Sequence, residues 1–460
     1  MNFQHFLWIY FLLLFHSCSA SKTSYPIDFH IEGFPNQEIY IAQIQGDAYS
    51  IVDTVTSDEQ GVFSTSLPSD TPIGMYSFLF PQLQNVEIPF IFNKEPKISF
   101  SAHIKSLKEF VSINASEENK TFYSFSRFYS RFTSDVSHLQ DVYESYSHSD
   151  SLSRIEQEYK KRIQEEQQFV QELLKNNKNT FVSHIIQASR KPYSPHILHG
   201  KELHTYTKKH FFDYIDFSDT LLIRTNILTK KSIEYLTLCS QEQSEEEPYK
   251  KLEKAVITLT DKALPYPQMY DFIIDYLISG FEKMGAEKMV KFVSELYVQE
   301  KQCSAQEKST LERKALHHTQ IATGNTIPDF SVTTLSGTTL SSKKLHNKPY
   351  ILIFWSTSCG HCQTMIPDIA KYMNNHTSTQ TVFISLDESQ KKLKKFMDTH
   401  PSLAKHSIVC DEQGWDGTLA KTFFIYATPT IIMIQNNTIQ SKPLDFNTFK
   451  KNVYNLTNTN

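Results

Sequence analysis

The sequence predicts a multidomain chain: an N-terminal all-β sandwich or barrel, a middle α-helical region and a C-terminal α/β region. Two observations lead there. At 460 residues the chain exceeds what one hydrophobic core usually serves. Its hydrophobic pattern also changes twice, from alternation of period two, to helical spacing, to short apolar strands interleaved with helical stretches. A formal net charge of −4 gives no electrostatic reason to expect a nucleic-acid partner. Only 12 glycines are present, which argues against Gly-rich phosphate loops.

Residues 1–20 read as a signal segment. FLWIYFLLLF, Phe6 to Phe15, is an apolar run of signal-peptide length and too short to span a bilayer. Two readings of the following HSCSAS stay open. Cleavage after Ala20 would release a soluble protein. Alternatively Cys18, which follows the small Ser17, resembles the lipid-accepting cysteine in the relaxed lipoboxes of Bacteroidetes-type bacteria. No Lys or Arg precedes the run, a departure from both patterns. The expectation is an exported protein of the periplasm or cell envelope, touching a membrane only through a lipid anchor at Cys18.

Residues 24–105 form the β region. IDFHIEGF, EIYIAQIQ, YSIVDTVT, GVFSTSL, MYSFLF and KISFSAH are short β-rich runs, punctuated by Gly33, Asn36, Asp58, Gly61 and Pro68. A small antiparallel sandwich or barrel is expected. Residues 106–318 read as helical. Leu152, Ile155, Tyr159, Ile163, Val170 and Leu173 make one stripe at three-to-four spacing, which predicts packing against neighbouring helices. The SEEEP run before YKKLEKAVITL suits a helix N-terminus, and the His317-His318 pair reads as solvated linker. Residues 322–460 alternate strands (YILIFW, TVFISLD, SIVCD, TIIMI) with helical stretches, the α/β pattern.

Six cysteines are few for an exported chain of this length, so no disulfide-stapled scaffold is expected. Cys239, Cys303 and Cys410 read as small buried hydrophobes. The informative pair is Cys359 and Cys362 in WSTSCGHC. A structural zinc site needs about four ligands, usually from two such pairs, and there is no second CxxC; no metal is expected. Haem attachment needs His directly after the second cysteine, where Gln363 stands. A redox dithiol needs the pair at the start of a helix following a buried strand, which the pattern supplies. The helix N-terminus favours a thiolate at Cys359, and His361 adds positive charge or a hydrogen bond beside it. Cys362, one turn on, suits the resolving role. Pro367 falls inside the helix, where a kink is expected.

WSTSCGHC with Trp355, the later Pro367 and the dipeptide Thr428-Pro429 resemble a thioredoxin fold. IATGNTIPDFSVTTLSG, HNKPYILIFW and CDEQGWDGTLAKTFFIYATPTIIMI narrow the resemblance to exported TlpA/ResA-like thioredoxins over about Ile321 to Asn460. The β and helical regions resemble the domains of uncharacterised function fused to such thioredoxins in Bacteroidetes. The resemblance implies a thiol-disulfide oxidoreductase with Cys359 as nucleophile and Cys362 as resolving thiol. It implies a cis Pro429, with Thr428 presenting its backbone to the substrate. It implies no cofactor beyond the Cys359–Cys362 disulfide, with cysteine-containing exported proteins and a membrane-bound electron donor as partners.

Two departures stand out. Thioredoxin keeps a buried Asp six residues before its first cysteine, where this chain has Ile353; Glu412 or a water is left to substitute as proton acceptor for Cys362. Gly-His between the cysteines is similar to protein disulfide isomerase. Thioredoxin and that isomerase differ by about 90 mV, or ~4 kcal/mol, which hints at a milder reductant or an isomerase. The enzymatic alternative is a peroxiredoxin-like activity: Ser356 lies three residues before Cys359 as that family requires, but Leu352 replaces its proline. The non-enzymatic alternative is a surface binding protein retaining a thioredoxin module.

Overall fold

A computed structural model describes residues 24–84, 86–145, 149–242, 246–301, 309–345 and 348–458. Residues 1–20, expected to be a signal segment and including Cys18, lie outside the described residues, as does Cys303. Contacts divide the chain into two compact units, Met1–Gln243 and Ser244–Asn460, so the middle helices are shared between them.

The first unit opens with eight strands. These are β1 (Ser24–Glu32), β2 (Glu38–Gln45), β3 (Ala48–Thr56), β4 (Val62–Pro68), β5 (Gly74–Leu79), β6 (Glu87–Phe92), β7 (Ile98–His103) and β8 (Ser112–Ala115). They build two four-stranded sheets, ordered β4-β1-β7-β8 and β3-β2-β5-β6. Strand alternation turns Ile27, Phe29 and Ile31 of β1 and Ile39 and Ile41 of β2 into one core between the sheets. Phe29 meets Phe78 across it with centroids 5.0 Å apart, and Phe78 stacks on Phe90 at 4.5 Å. The sandwich is as expected, but not purely antiparallel: β1 and β7 run parallel, Phe29 opposite Phe100. Gly61 is held at φ 80°, where an added Cβ would lie 2.3 Å from the Ile31 carbonyl oxygen, so this turn requires glycine.

Strands β6 and β8 were not expected. Pro89 in EIPFIF argues against a strand, yet β6 lies at a sheet edge, where a missing N–H is tolerated. The short β8 falls within the stretch that reads as helical.

Five helices complete the unit: α1 (Glu117–Ser145), α2 (Ser149–Asn176), α3 (Phe181–Ser189), α4 (Gly200–His210) and α5 (Ile227–Ser240). The predicted stripe of α2 packs Tyr159 and Ile163 on Phe132 and Val136 of α1. Arg190 donates to both carboxylate oxygens of the buried Glu166, at 2.9 and 3.0 Å.

The second unit starts with α6 (Pro248–Ala263), α7 (Pro267–Lys283), α8 (Glu287–Lys301) and α9 (Thr310–Gln320). A Ser309–Glu312 capping box starts α9. Glu247 stands at the N-cap of α6 without a side-chain cap bond. The reading of His317-His318 as solvated linker is overturned. Both lie in the last turn of α9, where His317 is buried against the Phe423 carbonyl and His318 bonds Glu282 and Tyr426. Helical packing claimed a turn whose composition alone reads as polar.

There follow β9 (Ser331–Thr333), β10 (Thr339–Ser341), α10 (Ser342–Leu345), β11 (Tyr350–Trp355), α11 (Gly360–Met373), β12 (Gln380–Ser385) and α12 (Gln390–Thr399). The chain ends with β13 (Ser407–Cys410), α13 (Thr418–Thr422), β14 (Thr430–Gln435), β15 (Thr438–Ser441) and α14 (Phe446–Asn458). The sheet order is β13-β12-β11-β14-β15, with β11, β12 and β13 parallel and β14 antiparallel to β11. This is the thioredoxin fold. Buried on both faces, β11 reads as one continuous apolar run. Its Leu352 and Phe354 face one core, and Ile351, Ile353 and Trp355 face the other, with Cys362 and Ile366 of α11.

Phe29 is fully buried in the sandwich core, its ring against those of Phe78, Phe80 and Phe100, so Phe29→Ala is expected to cost about 3–5 kcal/mol. Urea unfolding followed in the first unit should show that loss; a change below about 1 kcal/mol would mean this core is not the one described.

Candidate active site

The end of β11 feeds directly into the pair. Cys359 occupies the N-cap of α11, with extended backbone (φ −85°, ψ 117°), and its sulfur accepts the Cys362 N–H at 3.3 Å. The first turn of a helix leaves N–H groups unpaired, so a sulfur there receives both their hydrogen bonds and the positive dipole end. On its other side the Cys359 thiol donates to the Thr428 carbonyl at 3.3 Å. The Thr428–Pro429 bond is cis, immediately ahead of β14.

The two thiols differ in environment. Cys359 is partly exposed, whereas Cys362 is fully buried in the core between sheet and α11. Burial works against a Cys359 thiolate, but the Cys362 thiol, Thr428 and the backbone N–H groups of Cys362 and His361 outweigh it, and the Cys359 thiol lies below its ordinary value. Burial, followed by the adjacent Cys359, pushes the Cys362 thiol up.

The other expected residues fall around this pair. The His361 side chain is exposed, and what reaches the Cys359 sulfur is its backbone N–H. Trp355 is buried beneath, its ring 5.3 Å from Phe396. Pro367 lies within α11, next to the buried Ile366. Ile353 fills the position of the thioredoxin Asp with buried hydrocarbon. Glu412 does not substitute for it: its carboxylate is exposed and accepts from the backbone and side-chain amides of Gln390. Cys239 and Cys410 are buried as expected, Cys410 donating to the Asp387 carbonyl at 3.3 Å.

One residue of the site escaped the sequence reading. Asp387, two residues beyond β12 and buried, grips the loop that carries the pair. Its carboxylate accepts from the Ser356 hydroxyl at 3.0 Å, the Thr357 hydroxyl at 2.7 Å, the Thr357 N–H at 3.1 Å and the Ser385 hydroxyl at 2.6 Å. Ser356 is thereby turned to Asp387 and Ser358. The available signal was a carboxylate at the end of the apolar run TVFISLD, where an acid must be hydrogen-bonded to be buried.

A thiol that ionises early at a helix N-terminus, above an enclosed partner thiol, can attack a disulfide and then be attacked in turn. Among the described residues no cluster of three His, Cys, Asp or Glu could hold a metal.

Comparison with known proteins places this region. Residues 323–441 match the AhpC/TSA family model. Over 84 residues the chain is 33% identical to a thioredoxin-like protein, YneN, of Bacillus subtilis, a match covering 17% of this chain and 49% of that protein. The chain thus spans about half the length of that curated relative. Among solved structures it is similar to the thioredoxin domain of a thiol-disulfide oxidoreductase from Bacteroides vulgatus, at 21% identity and TM-score 0.27, covering 30% of this chain and 99% of that one. It is also similar to a thioredoxin-like protein from Bacteroides caccae, at 17% identity and TM-score 0.38, covering 58% and 97%.

Because a lowered thiol value populates the thiolate at lower pH, Cys359 should reach its plateau rate of iodoacetamide alkylation at a lower pH than free cysteine. Cys362 should stay unlabelled in the folded protein; equal labelling of both, read by mass spectrometry, would contradict the asymmetry. With β11, the CGHC helix and the cis Pro429 brought together around one sheet, residues 323–441 form a thioredoxin-like domain that matches the AhpC/TSA family model.

Proposed function

We propose that the chain is a thiol-disulfide oxidoreductase acting on cysteine-containing exported or cell-envelope proteins. The observation that carries this is the Cys359 sulfur on the α11 N-terminus with Cys362 buried one turn behind it. The Cys359 thiolate attacks one sulfur of a client disulfide, forming a mixed disulfide as the client S–S bond breaks, and the departing client sulfur takes a proton. Cys362 then gives up its proton and attacks the Cys359 sulfur. The second client thiol leaves, and a Cys359–Cys362 disulfide remains. Two electrons and two protons have passed to the client; a membrane-bound dithiol donor would return them. With a dithiol client the same steps run in reverse.

His361 supports the site through its backbone N–H, and Thr428 with Pro429 offers the client main chain an extended edge beside Cys359. Export rests on the apolar segment Phe6–Phe15 and attachment to a membrane on Cys18. Among the described residues no helix is long and apolar enough to cross a membrane. The peroxiredoxin-like alternative draws no support from Ser356, whose hydroxyl is held by Asp387 and Ser358 rather than free to bind peroxide.

Cys362→Ala should trap client proteins on Cys359 as adducts that dithiothreitol releases, visible on non-reducing gels of envelope extracts. Adding Cys359→Ser should abolish them. Absence of adducts with Cys362→Ala would speak against exchange through this pair and for a non-catalytic binding role.

A further inference from the structure

Beside the cis proline, the second unit holds a cavity of about 270 Å³ that disulfide exchange itself does not use. The thioredoxin fold supplies one side of its wall, including Pro429, Ile431 and Lys442; the helices before it supply the other, including Phe281 of α7, Val290 of α8 and His318 of α9. The volume is small against the roughly 300–1,000 Å³ of sites for drug-sized ligands, and suits one or two side chains of a peptide better than a cofactor.

Its polar groups are unequally engaged. Glu282 accepts from His318 Nε2 at 2.8 Å and from the Tyr426 hydroxyl at 2.5 Å, and lies 3.6 Å from Lys314 Nζ. Burial opposes its charge, but His318, Tyr426 and Lys314 hold it at about 2. His317 is turned to the Phe423 carbonyl at 2.9 Å, and burial keeps its ring neutral. Lys442, partly buried in the wall, makes no hydrogen bond or ion pair among the described residues. Burial draws it down to about 8, with Glu287 and Glu282 opposing that fall. Lys288 and Lys291 stand exposed at the rim, near Glu287. An ammonium without an acceptor in a recess walled mainly by hydrocarbon is unfavourable until a ligand supplies one.

The cavity's position links it to the redox pair. Pro429 forms part of the wall, and the carbonyl of Thr428, the residue before it, receives the Cys359 thiol. A peptide whose cysteine engages Cys359 therefore carries its neighbouring residues to the cavity mouth. We propose that this cavity is a client-specificity subsite that takes an acidic residue close to the client cysteine, its carboxylate on Lys442 Nζ and its methylenes against Phe281, Val290 and Ile431. The proposal rests on the disulfide-exchange reading above.

The test is single-turnover reduction of synthetic disulfide peptides by the pre-reduced full chain, the peptides differing only in Glu, Gln or Lys at positions flanking the cysteine. The Glu peptide should react about tenfold faster than the Gln peptide, as one partly desolvated charge-assisted hydrogen bond allows, and the Lys peptide slowest. In Lys442→Met the Glu-to-Gln ratio should fall to about one; Lys442→Gln serves if that variant does not fold. Equal rates for all three peptides with the wild type overturn the subsite and leave disulfide exchange standing. A ratio that survives both substitutions also overturns it. Reduction of none of the peptides overturns both readings.

Discussion

The carboxylate of Asp387 fixes the segment on which the placement of Cys359 and Cys362 depends. The chain leaves β11 and must turn into α11 within a few residues, and a loop so short has few backbone partners of its own. Asp387 supplies them from just beyond the end of the neighbouring strand β12, accepting from the Ser356 and Thr357 side chains and from the Thr357 N–H. Ser385, the last residue of β12 and two before Asp387, takes up further acceptor capacity, so the acid is buried with its charge compensated. With the loop so held, Cys359 arrives at the N-cap in the extended conformation that directs its sulfur to the helix N–H groups. Hydrogen-bonded charges of this kind are stronger than neutral pairs, which suits a loop that must keep its shape while sulfur chemistry proceeds beside it.

From that placement follows the division between the thiols. One sulfur meets solvent and hydrogen-bond donors; the other meets Trp355, Ile366 and the sheet. The same helix turn thereby yields an early-ionising thiol and a late-ionising one, without a carboxylate on β11 beneath the pair, since Ile353 occupies the place where one would stand. The proton on Cys362 must then leave by another route as Cys359 becomes disulfide-bonded. Loss of the Cys359 thiolate removes one of the two causes that hold the Cys362 value up, and this itself eases ionisation of the second sulfur.

Local pattern made the C-terminal domain legible. YILIFW, TVFISLD, SIVCD and TIIMI became β11, β12, β13 and β14 because strands buried on both faces must be continuously apolar. The cysteine pair was legible for a similar reason: its chemistry requires a fixed place in sequence, directly after such a strand. Contacts between distant residues were not. Asp387 stands 30 residues from Thr357, and nothing in its own neighbourhood says which loop it will grip. His318 and Glu282 are 36 residues apart, and Tyr426 lies 108 beyond His318, so a polar-looking turn was read as linker. The strand β6 went unread in EIPFIF, whose Pro89 is tolerated because an edge strand accepts what a central one cannot.

The burial of Cys362 has a consequence for survival under oxidative stress. An oxidant arriving from solvent meets the Cys359 sulfur first, because the second sulfur is enclosed on all sides by core. Oxidation there gives a sulfenic acid, which condenses with a neighbouring thiol to a disulfide and water before the irreversible sulfinic stage. The enclosed thiol one helical turn away is that neighbour. What shields Cys362 from small reagents thus also keeps a repair partner in reserve, and confines damage to the one sulfur that can be restored by the same electrons that the proposed exchange would use.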